Sequence, residues 1–187
     1  MPESDIGGKN TGAVPRLRIG VSSCLLGEKV RYDGRDKRHS GILNFVGPKV
    51  DWVPVCPEVE MGLGVPREPV KLAGEPSCPR LLGEESGKDL TDEMTKFSSR
   101  RLDELRRMDL DGFILKKNSP SCGTADVPVY KDSLFTELAG RSSGMFAKYL
   151  MRAFPGLPVV DEDAVADEAG AGHFLERVRR FKQRKGY

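Results

Sequence analysis

The sequence predicts an α/β domain with three layers, in which a mostly parallel sheet carries helices on both faces. Short apolar runs typical of strands alternate with longer stretches whose apolar residues recur at helical spacing. Three of the strand-like runs are followed by a cysteine in a turn-like segment, at Cys24, Cys56 and Cys122. Because the carboxyl ends of parallel strands meet at one edge of a sheet, we expect the three thiols to gather there.

Strands are predicted at four short apolar segments. The first has apolar residues at Leu17, Ile19 and Val21, and the third is apolar throughout, as in a strand buried on both faces. In chain order the predicted strands span residues 16–23, 50–57, 111–117 and 157–162. Their alternation with helices is typical of a Rossmann-like domain.

Helices are predicted between and after these strands. The predicted helices span residues 40–47, 89–109, 141–154 and 173–184. In the second, apolar residues from Met94 to Leu105 recur near helical spacing, and Thr91 is the expected N-cap. For the third helix, Ser142 or Ser143 is the expected N-cap.

Two other stretches are predicted without regular structure. Residues 62–87 are rich in Gly and Pro and are interpreted as a long loop near the site, because long loops in compact domains are often functional. Residues 1–16 are polar and lack the pattern of a secretion signal, which predicts a disordered tail. The rest, residues 17–187, is predicted to form a single domain that includes the C-terminal helix.

The composition excludes several classes of function. The 187 residues are 38% hydrophobic and 31% charged, and 30 basic against 28 acidic residues leave a net charge of +2. This balance gives no electrostatic basis for a DNA-binding protein. No apolar run approaches the ~20 residues needed to span a bilayer. We therefore expect a cytoplasmic protein without a DNA or membrane partner, in which the cysteines stay reduced.

Three gathered thiols allow three interpretations from spacing alone. A zinc site needs four ligands, and Cys78, His39 or His173 would supply the fourth. A [4Fe–4S] cluster takes one Cys for each iron, so three Cys would leave one iron open to act as a Lewis acid. Buried structural cysteines are the third interpretation.

Four stretches, taken together, resemble the thiouracil desulfidase family. They are "VSSCLLGEKVRYDG" (21–34), "VPVCPEVEMGLGVPREP" (53–69), "GKDLT" (87–91) and "GFILKKNSPSCG" (112–123). The resemblance covers roughly residues 17–162. It implies a [4Fe–4S] cluster held by Cys24, Cys56 and Cys122 with one iron open, and it leaves Cys78 outside the ligand set.

The resemblance also implies a reaction. The family removes sulfur from thiolated uracils, so we expect a desulfidase that converts a thiolated uracil, as free base or nucleotide, to uracil and hydrosulfide. The substrate sulfur would bind the open iron, because soft sulfur suits iron. Water must then attack the carbon that carried the sulfur, which requires a general acid or base. The resemblance assigns this role to Glu58 and a second catalytic role to Ser119. No external electron is needed, because exchanging C=S for C=O is a hydrolysis.

Further polar residues near the thiols are candidates for contact with the substrate. Tyr32 could stack on a pyrimidine, and Asp33 could accept a ring N–H. Arg67 could pair with a phosphate in bidentate fashion. Ser121, next to Cys122, is a second candidate for the catalytic hydroxyl.

Two other functions fit parts of the sequence. A zinc- or cluster-stabilised binding module would recognise a thiolated RNA or a protein partner, and the basic residues of segment 177–187 are its only support. A small thiopyrimidine is favoured over tRNA as partner, because the chain has no large second domain to grip tRNA. A relative that has diverged to sulfur trafficking or cluster sensing is disfavoured by the intact "CPE" and "SPSCG" segments.

Overall fold

The computed structural model describes residues 16–185, which fold into eight strands and four helices. The strands are β1 (Leu17–Ser22), β2 (Val50–Val55), β3 (Val70–Ala73), β4 (Arg80–Gly83), β5 (Gly112–Leu115), β6 (Val127–Tyr130), β7 (Leu138–Ser142) and β8 (Val159–Asp161). The helices are α1 (Pro57–Glu60), α2 (Thr91–Arg107), α3 (Met145–Ala153) and α4 (Glu168–Lys185). Shorter helical turns lie at Ser23–Leu26, Ile42–Val46, Gly47–Lys49 and Glu162–Val165.

A parallel sheet forms the centre of the fold. Its strand order is β2-β1-β5-β8, and every neighbouring pair is parallel. Ile19 on β1 pairs with Trp52 on one side and with Gly112 on the other. All four strands predicted from the sequence belong to this sheet. The predicted α/β class with a mostly parallel sheet is therefore confirmed.

Helices cover both faces of this sheet, as predicted. Phe113 and Leu115 of β5 pack in a cluster with residues of α2 and α3. Ile114, which points to the other face, packs in a cluster with residues of α4 and of Ile42–Val46. On the first face, Gly20 lies under the ring of Phe113, where a Cβ atom would come within 2.2 Å of a ring carbon. A side chain at this position would overpack the core.

A second sheet was not predicted. Its order is β4-β3-β6-β7, with antiparallel pairs at both ends and a parallel pair between β3 and β6. The interpretation of residues 62–87 as a loop is wrong, because β3 and β4 form a hairpin in which Leu72 pairs with Leu81. Both side chains are fully buried. Strands of four residues between Gly and Pro residues carry too short an apolar pattern to be distinguished from a loop.

The start of α2 differs from the prediction. Leu90 lies at the N-cap position and Thr91 is the first helical residue, so the assignment of Thr91 as N-cap is wrong. The Thr91 hydroxyl instead accepts a hydrogen bond from the backbone of Leu81 at 3.0 Å. The carboxylate of Asp89 accepts from the Thr91 backbone N–H at 3.0 Å, so it supplies the cap.

The start of α3 also differs. The helix begins at Met145 with Gly144 at the N-cap position, and Ser142 ends β7. The prediction of Ser142 or Ser143 as N-cap is wrong, because the Ser143 hydroxyl donates to the carbonyl of Thr124 at 2.7 Å. A Cβ atom on Gly144 would lie 2.6 Å from the carbonyl carbon of Ser121. Close contact between α3 and the loop before it therefore requires glycine here.

Smaller differences concern the segment before β2, the start of α4 and the ends of the chain. The predicted helix at 40–47 is a π-helical segment at Ile42–Val46, and α4 begins at Glu168, earlier than predicted. The predicted tail at 1–16 lies outside the described residues except for Arg16. That residues 17–187 form one domain stays a prediction. Within residues 16–185, no helix combines the length and apolar character needed to cross a membrane.

Candidate active site

A cavity of about 320 Å³ lies at the carboxyl ends of three parallel strands. Cys24, Cys56 and Cys122 all line it. Cys24 lies in the turn that follows β1, Cys56 directly follows β2, and Cys122 lies in the loop after β5. The predicted convergence of the three thiols at one sheet edge is thus what the topology produces.

Backbone hydrogen bonds hold the turn that carries Cys24. The Cys24 carbonyl accepts from Gly27 N–H at 3.2 Å and from Lys37 N–H at 2.9 Å. Gly27 has φ +100°, a left-handed conformation that favours glycine. The loop after Cys24 therefore folds back over its own turn and brings residues 30–32 and Lys37 to the cavity.

The loop that carries Cys122 is organised by Ser119. The Ser119 hydroxyl accepts hydrogen bonds from Ser121 N–H at 3.2 Å and from Cys122 N–H at 3.1 Å. The Ser119 carbonyl accepts from Gly123 N–H at 2.8 Å. Because the hydroxyl oxygen already accepts two bonds, its own hydrogen remains available as a donor. Ser119 lines the cavity, so a donor is present where a substrate would bind.

Burial keeps the three thiols from ionising on their own. Burial, assisted by the nearby Cys56, raises the pKa of Cys24 to about 11. Burial also raises the pKa of Cys56, and it raises that of Cys122 well above the ordinary value. Thiols bind metals as thiolates, so a bound cation would displace these protons.

The donor set suits an iron–sulfur cluster. Thiolates are the usual protein ligands of such clusters, and each ligand binds a different iron. Within residues 16–185, no group of three or more His, Cys, Asp or Glu side chains is arranged around one point as a single metal ion requires. The three thiols that line the cavity, two buried and that of Cys56 half-buried, supply this kind of ligand.

Lys116 brings positive charge to the cavity. Its ammonium group pairs with the carboxylate of Glu162 and donates to the carbonyl of Lys117 at 2.8 Å. Glu162 is buried, and its second oxygen accepts from Lys117 N–H at 2.6 Å. While burial raises the pKa of Cys24, the charge of Lys116 acts in the opposite direction. This lysine therefore favours negative charge on the sulfur.

Glu58 lies on the single turn of α1 and lines the cavity. One of its carboxylate oxygens accepts two hydrogen bonds from Arg67, and the other accepts one from Ser121. The site thus contains one carboxylate beside three thiols and a serine hydroxyl. Such a carboxylate is suited to take a proton from water.

Only two of the four candidates for substrate contact line the cavity. Tyr32 and Arg67 line the cavity, and Tyr32 is 40% exposed with the Arg31 guanidinium 5.2 Å from its ring centre. Asp33 and Ser121 are not among the lining residues. The Asp33 carboxylate accepts from Arg31 at 3.3 Å and from the backbone of Arg35 at 3.1 Å. Its contact with a substrate ring stays a prediction.

The residues considered as a fourth zinc ligand lie elsewhere. Cys78 is exposed in the turn between β3 and β4. His39 accepts a hydrogen bond from the backbone of Ile42 at 3.3 Å, and His173 is exposed on α4. None of the three lines the cavity.

Comparison with known proteins identifies the family. The family model described as 2-thiouracil desulfurase matches residues 19–162. This chain belongs to the 2-thiouracil desulfurase family. A similar protein, "Uncharacterized protein YbbK" of Bacillus subtilis (strain 168), is 32% identical over 152 residues. The match covers 79% of this chain and 97% of that protein.

A solved structure resembles the fold of this desulfurase-family chain. It is the "[4Fe-4S]-dependent thiouracil desulfidase TudS", which is 32% identical with a TM-score of 0.66. The match covers 84% of this chain and 99% of the solved chain. The resemblance seen in the sequence motifs is confirmed. The family match includes the three cavity cysteines, Glu58 and Ser119, whereas α4 lies beyond its end.

Several lining residues of this family member were not predicted, and Lys37 and Asn118 are two of them. Lys37 reaches the cavity because its backbone bonds to the Cys24 turn, and Asn118 because the chain turns there with φ +59°. Asn tolerates left-handed backbone better than most residues. The Asn after the two lysines of "LKKNSP" is the sequence signal that could have indicated this turn.

Proposed function

We propose that this protein is a thiouracil desulfidase that converts a thiolated uracil, as free base or nucleotide, to uracil with release of hydrosulfide. One observation carries the proposal: three thiols, a carboxylate and a serine hydroxyl line the same cavity at the ends of parallel strands. Family membership and the similarity to a [4Fe-4S]-dependent desulfidase support it.

Cys24, Cys56 and Cys122 would hold a [4Fe–4S] cluster. When bound, this cluster would supply one iron without a protein ligand as a soft Lewis acid for the substrate sulfur. The burial of the thiols supports this assignment, because buried thiolates need a compensating cation. Lys116 would balance part of the remaining negative charge.

Glu58 and Ser119 would carry the proton transfers. The Glu58 carboxylate would take a proton from the water that attacks the ring carbon. The Ser119 hydroxyl, whose oxygen accepts two backbone N–H bonds, would donate its hydrogen to the substrate. Water supplies the oxygen of the new C=O group, and the sulfur leaves as hydrosulfide. The balance of atoms and electrons closes without a reductant.

Tyr32 would form one wall for the pyrimidine ring. Its side chain is partly exposed at the cavity, and aromatic rings stack readily on nucleobases. A cavity of about 320 Å³ supports a small thiopyrimidine as the partner, beside the cluster that the three thiols would hold.

The first experiment is anaerobic purification followed by a visible spectrum, iron and sulfide analysis, and addition of 2-thiouracil and 4-thiouracil. We expect a broad brown absorbance with about four irons per chain. We also expect uracil and hydrosulfide to form without added reductant. A folded, colourless, zinc-loaded protein would overturn the proposal and favour a metal-stabilised binding module.

Variants separate cofactor binding from catalysis. We expect Glu58→Gln to retain its iron and lose roughly 10²- to 10⁴-fold in kcat, the usual contribution of a general acid or base. Cys24→Ala should instead lose iron. Full turnover by Glu58→Gln would remove Glu58 from the mechanism.

A further inference from the structure

Two residues from separate segments bind the carboxylate of Glu58. Arg67 donates to Oε2 twice, from Nε at 3.0 Å and from Nη2 at 2.7 Å. Ser121 donates from its hydroxyl to Oε1 at 2.8 Å. We call these three residues the Glu58 clamp.

The Glu58 clamp is withdrawn from solvent. The side chain of Arg67 is 7% exposed and that of Glu58 is 14% exposed, while Ser121 is fully buried. Charge-assisted hydrogen bonds at such burial are stronger than those at the surface. The hydrogen bonds from Arg67 and Ser121 therefore restrict the rotation of the carboxylate.

The loop between Glu58 and Arg67 is shaped for this contact. Gly62 and Gly64 have φ values of +105° and +76°, which glycine adopts without strain. The carbonyl of Gly64 accepts from Arg67 Nη1 at 2.9 Å, and Arg67 N–H donates to the carbonyl of Tyr32 at 3.0 Å. Both ends of the arginine are thus fixed.

The hydrogen bonds leave one direction free on the carboxylate. An ionised carboxylate has roughly four acceptor positions, two on each oxygen. Arg67 occupies both positions on Oε2, and Ser121 occupies one on Oε1. One acceptor position on Oε1 therefore remains unoccupied. Glu58 lines the cavity, where a water molecule could use this position.

We propose that Arg67 and Ser121 are positioning residues, which hold the Glu58 carboxylate in one orientation and leave one acceptor position of Oε1 available to the attacking water. This inference rests on the proposed function, because it assumes that Glu58 is the base. In this proposal the partner of Arg67 is the Glu58 carboxylate and not a phosphate of the substrate. Ser121 acts through Glu58, whereas Ser119 faces the cavity.

The kinetic test compares substrates with and without a phosphate. We expect Arg67→Gln and Ser121→Ala to lower kcat roughly 10- to 100-fold, because small displacements of a catalytic group cost this much. The KM values for 4-thiouracil and for 4-thiouridine monophosphate should change equally little. A rise in KM confined to the monophosphate would overturn the proposal, because it would make Arg67 a phosphate ligand.

Rescue distinguishes positioning from folding. Arg67→Lys keeps the charge without the two-pronged contact, so it should recover only part of kcat. Guanidinium ion at millimolar concentration should raise the kcat of Arg67→Ala and leave that of Arg101→Gln unchanged. Arg101 is the matched control, because it pairs with Glu60 on the same turn and lines no part of the cavity. If guanidinium ion restores neither the kcat nor the iron content of Arg67→Ala, the role of Arg67 is structural and the proposal is overturned.

A spectroscopic readout makes the inference independent of turnover. The infrared carboxylate band of Glu58, identified by its loss in Glu58→Gln, should shift in Arg67→Gln and in Ser121→Ala but not in Arg101→Gln. An unmoved band would overturn the clamp even in an active enzyme. A shifted band in a protein without desulfidase activity would retain the clamp and reject the proposed function.

Discussion

A single serine side chain organises the loop that carries Cys122, and the proposed mechanism gives its hydroxyl a second role. The Ser119 oxygen accepts hydrogen bonds from two backbone N–H groups, and its hydrogen remains available as a donor. We expect Ser119→Ala to lose at least roughly 10²-fold in kcat, together with about 1 kcal/mol of unfolding free energy from the two lost hydrogen bonds. Kinetics and denaturant unfolding of the purified variant would measure both.

The matched variants for this prediction are Ser119→Thr and Ser99→Ala. Threonine keeps the hydroxyl and should keep most of kcat, while Ser99 is exposed on α2 and should be neutral. Wild-type kcat in Ser119→Ala would show that the hydroxyl has no role in catalysis.

The charge of Lys116 leads to a prediction on cofactor retention. The lysine lies beside Cys24 and opposes the effect of burial on that thiol. Removing it in Lys116→Met should speed the loss of iron to a chelator about tenfold, equivalent to ~1.4 kcal/mol. Lys116→Arg should keep the wild-type rate, and Lys96→Met, on the exposed side of α2, should be silent. Iron release followed by absorbance would decide, and equal rates in all variants would exclude a role for this charge.

At the scale of elements, α4 is tied to the start of β5 by Asp111. This carboxylate is fully buried and accepts from Arg18 N–H at 2.9 Å and from Lys182 at 3.0 Å, with Lys185 3.1 Å away. Burial tends to raise the pKa of Asp111, but the Arg18 N–H and the two ammonium groups outweigh it and hold the pKa below its usual value.

The sign of this shift sets a dependence of stability on pH. A carboxyl with a lower pKa in the folded state stabilises the fold above the pKa of the unfolded chain, about 3.9. That stabilisation disappears as the pH falls below this value. We expect Asp111→Asn to cost roughly 2 kcal/mol near neutral pH, because both lysines lose a buried partner. The variant should also lose less stability than the wild type on acidification.

Urea unfolding at pH 7 and at pH 3.5 would measure this difference. Asp109→Asn is the matched control, because Asp109 also pairs with Lys185 but its side chain is 72% exposed. Parallel pH profiles for the wild type and Asp111→Asn would contradict the prediction.

An element could be predicted from the sequence when its own residues carry the pattern, and not when contacts with distant residues determine it. The strands of the central sheet were predictable because each is an apolar run with its own pattern, as at Phe113 to Leu115. The hairpin of β3 and β4 was not, because its stability comes from pairs such as Leu72 with Leu81 rather than from a local repeat. The cap of α2 was misassigned because a tertiary contact to Leu81 recruits the Thr91 hydroxyl.

At the scale of the molecule, α4 completes one face of the central sheet. Phe174, Leu175 and Val178 are buried against β1 and β5. The family model ends at residue 162, before this helix. We expect a chain that ends after Asp167 to be insoluble or to melt far below the full chain, because burial of such side chains contributes about 1.5–3 kcal/mol each. Thermal melts would measure this, and an unchanged melting temperature would contradict it.

A milder variant keeps this prediction testable if the truncated chain cannot be purified. Val178→Ala should lower the unfolding free energy by about 1–3 kcal/mol, because it leaves a cavity under Gly112. Arg179→Ala, on the exposed side of the same helix, should change it little.

The site was predictable to the extent that topology determines it. Parallel strands that each precede a cysteine bring the thiols to one edge, whatever the details of the loops. The partner of Arg67 was not predictable, because a sequence shows an arginine nine residues after Glu58 without showing that two left-handed glycines turn it back. The sequence interpretation therefore assigned Arg67 to a phosphate.

The spacing of the three cavity thiols along the chain affects how the protein is made in the cell. Cys24 and Cys56 leave the ribosome well before Cys122, and Gly144, which packs against the loop of Cys122, follows later still. A nascent chain therefore presents two thiols without the third for much of its synthesis. Machinery that delivers a preformed cofactor to all three thiols would have to act after Cys122 has been synthesised. Metal ions that bind the first two thiols before then would compete with it.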